Sequence, residues 1–201
     1  AGPQLNTADV DVLLVQPSLV AVGERVYRAS ARPHCHGHYG VKPAIAYLIA
    51  KSADSGDAAG ACNVDTNCPQ GAAWQDEKHA ITRILSGGSL CTGALLNNVN
   101  NTGTQYYMTA YHCGSMNSAV FLFNYEKSGC GSGSAPSNQT VSGSTQLAGN
   151  SGYDYRLVQL TQAIPASYKP YFLGWNRTSS AASSTVTIHH PDGDVKKISF
   201  D

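Results

Sequence analysis

The segment Tyr106-Tyr107-Met108-Thr109-Ala110-Tyr111-His112-Cys113-Gly114 carries the strongest chemical signal in the chain. An apolar run leads into a histidine, and a cysteine follows at once. A general base must be kept in one rotamer and one tautomer at a solvent-accessible rim, and a histidine at a strand end beside a pinned loop meets both needs. The pin is expected to be a Cys91–Cys113 disulfide, because Cys91 opens an earlier apolar strand, Cys91-Thr92-Gly93-Ala94-Leu95-Leu96. Such a bridge closes a loop of about 22 residues, which chain entropy values at roughly 3 kcal/mol. Two other histidine clusters compete for attention. In His34-Cys35-His36-Gly37-His38 an extended backbone would put three imidazoles on one face, a donor set suited to zinc or copper. The spacing matches no closed metal site, so no metal is expected there. His189 and His190 are adjacent and would point to opposite faces of a strand, a poor chelate for which a structural role is expected. Asn100, Asn138 and Asn176 each open an Asn-x-Thr sequence and read as surface loops.

The elements that must position these residues read as short strands. Candidates are Ala80–Leu85, Leu90–Leu96, Gln105–Ala110, Ala119–Asn124, Thr140–Leu147, Tyr155–Leu160, Tyr171–Trp175, Thr185–His189 and Val195–Phe200. They are separated by turn clusters with no helical pattern between them, which suggests a β-sandwich or barrel. Ser128–Ser137 and Thr178–Ser184 read as surface loops. Upstream, Asp9–Val15 alternates like a strand and Val41–Ala50 reads as a short helix started by Pro43. Lys51–Gly60 is small and polar, like a linker.

Composition narrows the class. The chain has 201 residues, 13% of them charged and 42% hydrophobic, with 20 glycines and zero formal net charge. A nucleic-acid or polybasic membrane partner needs a clustered excess of Lys and Arg, which is absent. The longest apolar stretches, near Val12–Val15 and Ala44–Ala50, are far short of the ~20 residues of a membrane helix. The hydrophobic fraction is too high for a disordered chain. The six cysteines, Cys35, Cys62, Cys68, Cys91, Cys113 and Cys130, form no Cys-x-x-Cys pair and read as disulfides of an oxidising compartment. A secreted protein is therefore expected, one that has lost a signal peptide or is a piece of a longer chain.

Several motifs now fall into one order. Cys91-Thr-Gly-Ala-Leu-Leu followed by Thr109-Ala-Tyr-His-Cys113 resembles the first barrel of the chymotrypsin-like serine proteases. Cys62-Asn-Val-Asp-Thr-Asn-Cys-Pro-Gln-Gly71, Asp154-Tyr-Arg-Leu-Val-Gln-Leu160, Gly174-Trp-Asn-Arg177, Ile188-His-His-Pro191 and Lys197-Ile-Ser199 resemble the bacterial lysyl endopeptidase branch of that superfamily. The resemblance covers residues 62–199 and rests on the motifs in sequence, since any one alone would be weak.

The resemblance implies an all-β, chymotrypsin-like double β-barrel with the first barrel complete and the second partial. Residues 1–60 would be a leader or pro-region tail, 61–165 the first barrel and 166–201 the start of the second. His112 would be the catalytic base and Asp154 the acid that fixes its tautomer. Cys68 would pair with Cys130, and Cys62 with a cysteine beyond the chain end. Trp175 is one candidate for an aromatic near the base. The nucleophilic serine should lie in a Gly-x-Ser-Gly segment after Asp154, and none follows before Asp201. The expected protein is thus a secreted serine endopeptidase fragment, inactive by itself, from an enzyme cutting after Lys or Lys/Arg. Processing after Lys51 would remove the leader. No cofactor is expected; partners would be protein or peptide substrates, not nucleic acid or membrane, and the chain a monomer. The alternative is a non-catalytic pseudoprotease or a metal-binding secreted module.

Overall fold

A computed structural model describes residues 63–175 and 185–200. The readings of Asp9–Val15, Val41–Ala50, Lys51, Thr178–Ser184, Asn176, Cys35, Cys62 and the His34/His36/His38 cluster lie outside them. The architecture is all-β. Among the described residues ten strands run in chain order: β1 (Val64–Asp65), β2 (Ile81–Ser86), β3 (Ser89–Leu96), β4 (Tyr106–Thr109), β5 (Val120–Phe123), β6 (Thr140–Ser142), β7 (Ser144–Asn150), β8 (Tyr155–Leu160), β9 (Val186–His189) and β10 (Lys197–Phe200). The helical elements among the described residues are short 3-10 turns, among them Tyr111–Cys113.

The larger sheet has seven strands in the order β6-β5-β2-β3-β4-β8-β7, antiparallel throughout. Its two outer strands, β6 and β7, are one stretch of chain interrupted only by Gly143. The Gly143 N–H donates to the Ala119 carbonyl (2.9 Å), and the Thr161 N–H donates to the Gly143 carbonyl (3.1 Å). One residue thus bonds to both ends of the sheet and closes it into a barrel, which removes the free edges. Gly143 has φ +81°, and a Cβ there would stand 2.9 Å from Thr161 Oγ1. Only glycine takes that left-handed conformation without strain.

Alternation puts the apolar residues inside. In β8, Arg156, Val158 and Leu160 are buried while Gln159 is exposed. Ile84, Leu95, Tyr107, Phe121, Phe123 and Val158 fill the centre. The Tyr107 ring meets Phe121 edge-on at 4.8 Å, and its hydroxyl shares a hydrogen bond of 2.6 Å with Thr82 Oγ1. Buried aromatic pairs with a satisfied hydroxyl combine packing with a fixed orientation.

The smaller sheet is β1-β10-β9. Val64 and Asp65 precede the barrel in sequence but pair with Ile198 and Lys197. Polar contacts weld this sheet to the barrel. The His190 N–H donates to Thr92 Oγ1 (3.0 Å) and the Lys196 N–H to the Tyr125 carbonyl (2.7 Å). Glu126 lies between Lys78 (2.7 Å) and the fully buried Lys196 (3.3 Å), and Lys196 Nζ also donates to the Lys78 carbonyl. Burial by itself would raise the Glu126 carboxyl, but the two ammonium groups hold it below its ordinary value. Such pairing offsets the cost of desolvating these charges. Asp65 is held by Lys197 (2.6 Å) and the Gly131 N–H (2.9 Å), beside the Cys68–Cys130 bridge.

The structure corrects two strand readings. Tyr171–Trp175 forms no ladder strand; only Leu173 bridges, in parallel, to Leu96. Thr140–Leu147 is two strands with different partners, and the second runs on to Asn150.

Two predictions follow from these contacts. Gly143→Ala should destabilise the protein by at least about 1 kcal/mol, read as a lower urea midpoint, because it forces an L-residue into positive φ at the closure. The second concerns His190. Burial, with Lys196 adding to it, pushes this imidazole well below its ordinary value, and burial does the same, more mildly, to His79. The unfolded chain therefore takes up these protons first as pH falls below about 6.5. Stability is full above that pH and declines toward the lowered folded-state values, by up to about 1.4 kcal/mol per pH unit for each histidine. Chemical denaturation between about pH 7 and about pH 5 should show this slope, and His190→Asn should flatten it. An unchanged slope would show that His190 is not held neutral.

Candidate active site

His112 and Asp154 come together because β4 and β8 pair in a fixed register. Tyr107 lies opposite Val158, Met108 opposite Leu157 and Thr109 opposite Arg156. Beyond Thr109 the chain turns through Tyr111–Cys113, and before Arg156 the other strand begins just after Asp154. Two residues 42 positions apart thereby reach the same rim.

The Asp154 carboxylate accepts two hydrogen bonds from His112. The backbone N–H donates to Oδ1 at 2.9 Å, and the ring Nδ1 donates to Oδ2 at 2.6 Å. A carboxylate can only accept, so Nδ1 carries the hydrogen and Nε2 of a neutral ring keeps its lone pair. The His112 side chain is 32% exposed and that of Asp154 17%, so the ring reaches solvent while its partner is largely covered. Asp154 itself has φ +54°. Asp is among the few non-glycine residues that occupy this left-handed region at modest cost, and here the conformation directs its carboxylate back to the preceding turn. The Tyr153 N–H, donated to Asn150 Oδ1 (3.0 Å), braces the turn in front of it.

The turn that bears His112 is pinned from below. Cys113 is bonded to Cys91 on β3. The His112 ring and these two sulfurs lie within 4.8 Å of one another, but both sulfurs are consumed by the bridge and offer no thiolate to a metal. No cysteine among the described residues is free. His189 and His190 are taken up in structure: His189 Nε2 bonds to Asn63 Oδ1 (3.0 Å), and His190 Nδ1 donates to the Asp194 carbonyl (2.9 Å). Trp175 is 37% exposed. Asn100 and Asn138 are exposed, in loops.

Sequence reasoning missed Arg156 and Tyr111. The Arg156 guanidinium lies over the Tyr111 ring, next to His112. The signal was available, since Arg156 shares its parity with the core residues Val158 and Leu160, and a cation on that face is anomalous. It also missed that Gly149-Asn150-Ser151-Gly152 reads as Gly-x-Ser-Gly. This segment precedes Asp154 and forms the end of β7 and the turn into β8. Ser151 is exposed there, and no hydrogen bond among the described residues joins it to His112.

The fold and the site define a closed β-barrel protein with an imidazole–carboxylate pair at its rim. A family model described as lysyl endopeptidase, C-terminal domain, matches residues 56–201. The lysyl endopeptidase of Pseudomonas aeruginosa is 30% identical over 164 residues, covering 73% of this chain and 35% of that protein. The chain belongs to the lysyl endopeptidase C-terminal domain family. It spans about a third of the length of the relative it matches. Among the described residues no helix is long and apolar enough to cross a membrane.

Substitution at Asp154 separates geometry from charge. Asp154→Asn keeps a residue tolerant of positive φ and one acceptor oxygen, so stability should fall by no more than about 1 kcal/mol. Asp154→Ala loses both acceptors and the φ tolerance, and should cost about 2 kcal/mol or more. Chemical denaturation reads the difference, and faster amide exchange at His112 in the alanine variant locates it.

Proposed function

We propose that this chain is part of a secreted serine endopeptidase that cuts peptide bonds after Lys, or after Lys and Arg. The observation that carries the reading is the hydrogen bond from His112 Nδ1 to the Asp154 carboxylate, with the ring exposed at the rim. That arrangement leaves Nε2 to take the proton of an attacking hydroxyl. His112 acts as general base, then returns the proton to the leaving amine as general acid. Asp154 fixes the tautomer and stabilises the imidazolium. The attack forms a tetrahedral oxyanion and then an acyl-enzyme, which water hydrolyses. The nucleophile is a serine beyond Asp201, together with the backbone donors of the oxyanion hole and the pocket for the substrate's side chain. Substrates are proteins or peptides; the enzyme acts as a monomer, without cofactor, nucleic acid or membrane partner. The leader ends near Lys51, and the protease unit begins near Cys62.

Support comes from the family and from the relative's name, lysyl endopeptidase, which speaks for Lys specificity. The two disulfides among the described residues, Cys68–Cys130 and Cys91–Cys113, suit an oxidising compartment and hence secretion. The alternative reading makes the protein a non-catalytic relative of the proteases.

The two readings separate on the codons after Asp201. Continuation to a Gly-x-Ser-Gly segment supports the enzyme, whereas an immediate stop supports the non-catalytic reading. The 201-residue chain should neither hydrolyse a lysyl ester nor be labelled by a serine-directed phosphonate. The continued chain should do both, and its Asp154→Asn variant should lose about 10⁴-fold in kcat. Labelling of Ser151 in the shorter chain would move the nucleophile into the β7–β8 turn and overturn the proposed order.

A further inference from the structure

We propose that Arg156 is a positioning residue for the His112–Asp154 pair: it clamps the turn that carries the imidazole to the strand that carries the carboxylate. This inference rests on the reading of His112 as a base oriented by Asp154, and adds to it the group that keeps the two in reach.

Arg156 and Thr109 form the last register pair of β4 and β8 on the site side. Past this pair the backbone ladder ends, and the two segments bearing His112 and Asp154 continue without further strand hydrogen bonds between them. The Arg156 side chain takes over where the ladder stops. Its Cζ lies 4.2 Å from the centre of the Tyr111 ring, and Nη2 reaches the Tyr111 carbonyl at 3.4 Å. Nη1 donates to Gln146 Oε1 on β7. One planar group therefore joins three segments: the turn before His112, the strand after Asp154 and the neighbouring β7. Gly149, which pairs with Arg156, leaves the space this needs; a Cβ there would stand 3.3 Å from both Tyr111 Cδ2 and Gln146 Nε2.

The energetics are unusual for a purely structural arginine. Arg156 is 8% exposed, yet no ion pair among the described residues includes it. Its buried Nε has no hydrogen-bond partner among the described residues. A desolvated cation met only by neutral groups is costly, and an apolar side chain of similar size would fill the space more cheaply. A guanidinium alone combines a flat face for the Tyr111 ring with several donors in one plane, which a lysine cannot do. What this cation obtains for its cost is the fixed placement of Tyr111, and the next residue is His112.

The test uses solution NMR of the 201-residue chain, because the hydrogen-bonded His112 Nδ1 proton gives its own low-field signal. In Arg156→Lys that signal should vanish, or its exchange with water should quicken by at least about tenfold, while the melting temperature stays close to the parent's. Tyr111→Leu, which removes the ring face, should do the same, and Tyr111→Phe, which keeps a face, should behave as the parent. The tyrosine pair decides the matter if the lysine variant fails to fold. An unchanged signal in Tyr111→Leu, and in Arg156→Lys where it folds, overturns the proposal. A signal absent from the parent, or one that survives Asp154→Asn, instead overturns the His112–Asp154 reading on which it rests.

Discussion

Thr109 stands opposite Arg156 in the β4–β8 ladder, and the placement of an imidazole and a carboxylate far apart in sequence depends on that register. A slip by one residue would turn Arg156 outward, bring Leu157 into its place and carry Asp154 a full residue along the rim. Register is protected on both sides. Tyr107 and Val158 are fully buried at one level of the pairing, so the core rejects the slipped arrangement. The Cys91–Cys113 bridge holds the far end of the turn to β3, the other neighbour of β4. The positive φ of Asp154 is a local strain that only a fixed surrounding can maintain, and it is found where the carboxylate must bend back toward His112.

The second constraint is electrostatic and holds the small sheet to the barrel. The small sheet has too few strands to bury its own polar groups. It is joined to the barrel by Glu126 between Lys78 and Lys196 and by His190 on Thr92, while Asp65 with Lys197 ties β1 to β10 within it. These contacts require particular partners in particular places, so they specify one docking of the sheet on the barrel. Apolar packing would tolerate many. They also tie residues 63–80, which precede the barrel, to strands that follow it.

The pairing of His112 with Asp154 was easier to read in the sequence than the framework around it. His112 and Asp154 stood out because each sits at the start or end of an apolar strand, in a motif whose parts are contiguous. Strands such as Tyr155–Leu160 were legible because alternation between a core face and a solvent face is a local signal. Tyr171–Trp175 is also rich in apolar and aromatic residues, but only Leu173 finds a partner, and pairing is not written in composition. Thr140–Asn150 could not be divided from sequence, because only the positive φ of Gly143 and a change of partners separate the two strands. β1 is too short for any pattern. The cluster of Lys78, Glu126 and Lys196 joins three distant segments, each of which looks like an ordinary charged surface residue in its own neighbourhood. Arg156 was visible by parity, but the Tyr111 ring above it was not.

The closure at Gly143 also bears on how the molecule comes apart. A sheet with free ends loses its outer strands first, since each needs only one ladder broken. In the ring formed by β2–β8 the two ends share one stretch of chain: β6 pairs with β5 and β7 with β8, so freeing the whole of Thr140–Asn150 means breaking two ladders. The smaller sheet differs, because β9 pairs with β10 alone. Partial opening will therefore begin in the β9–β10 region while the barrel that holds His112 and Asp154 remains shut. The amides of the small sheet exchange through local excursions, and those of the barrel centre only through global unfolding.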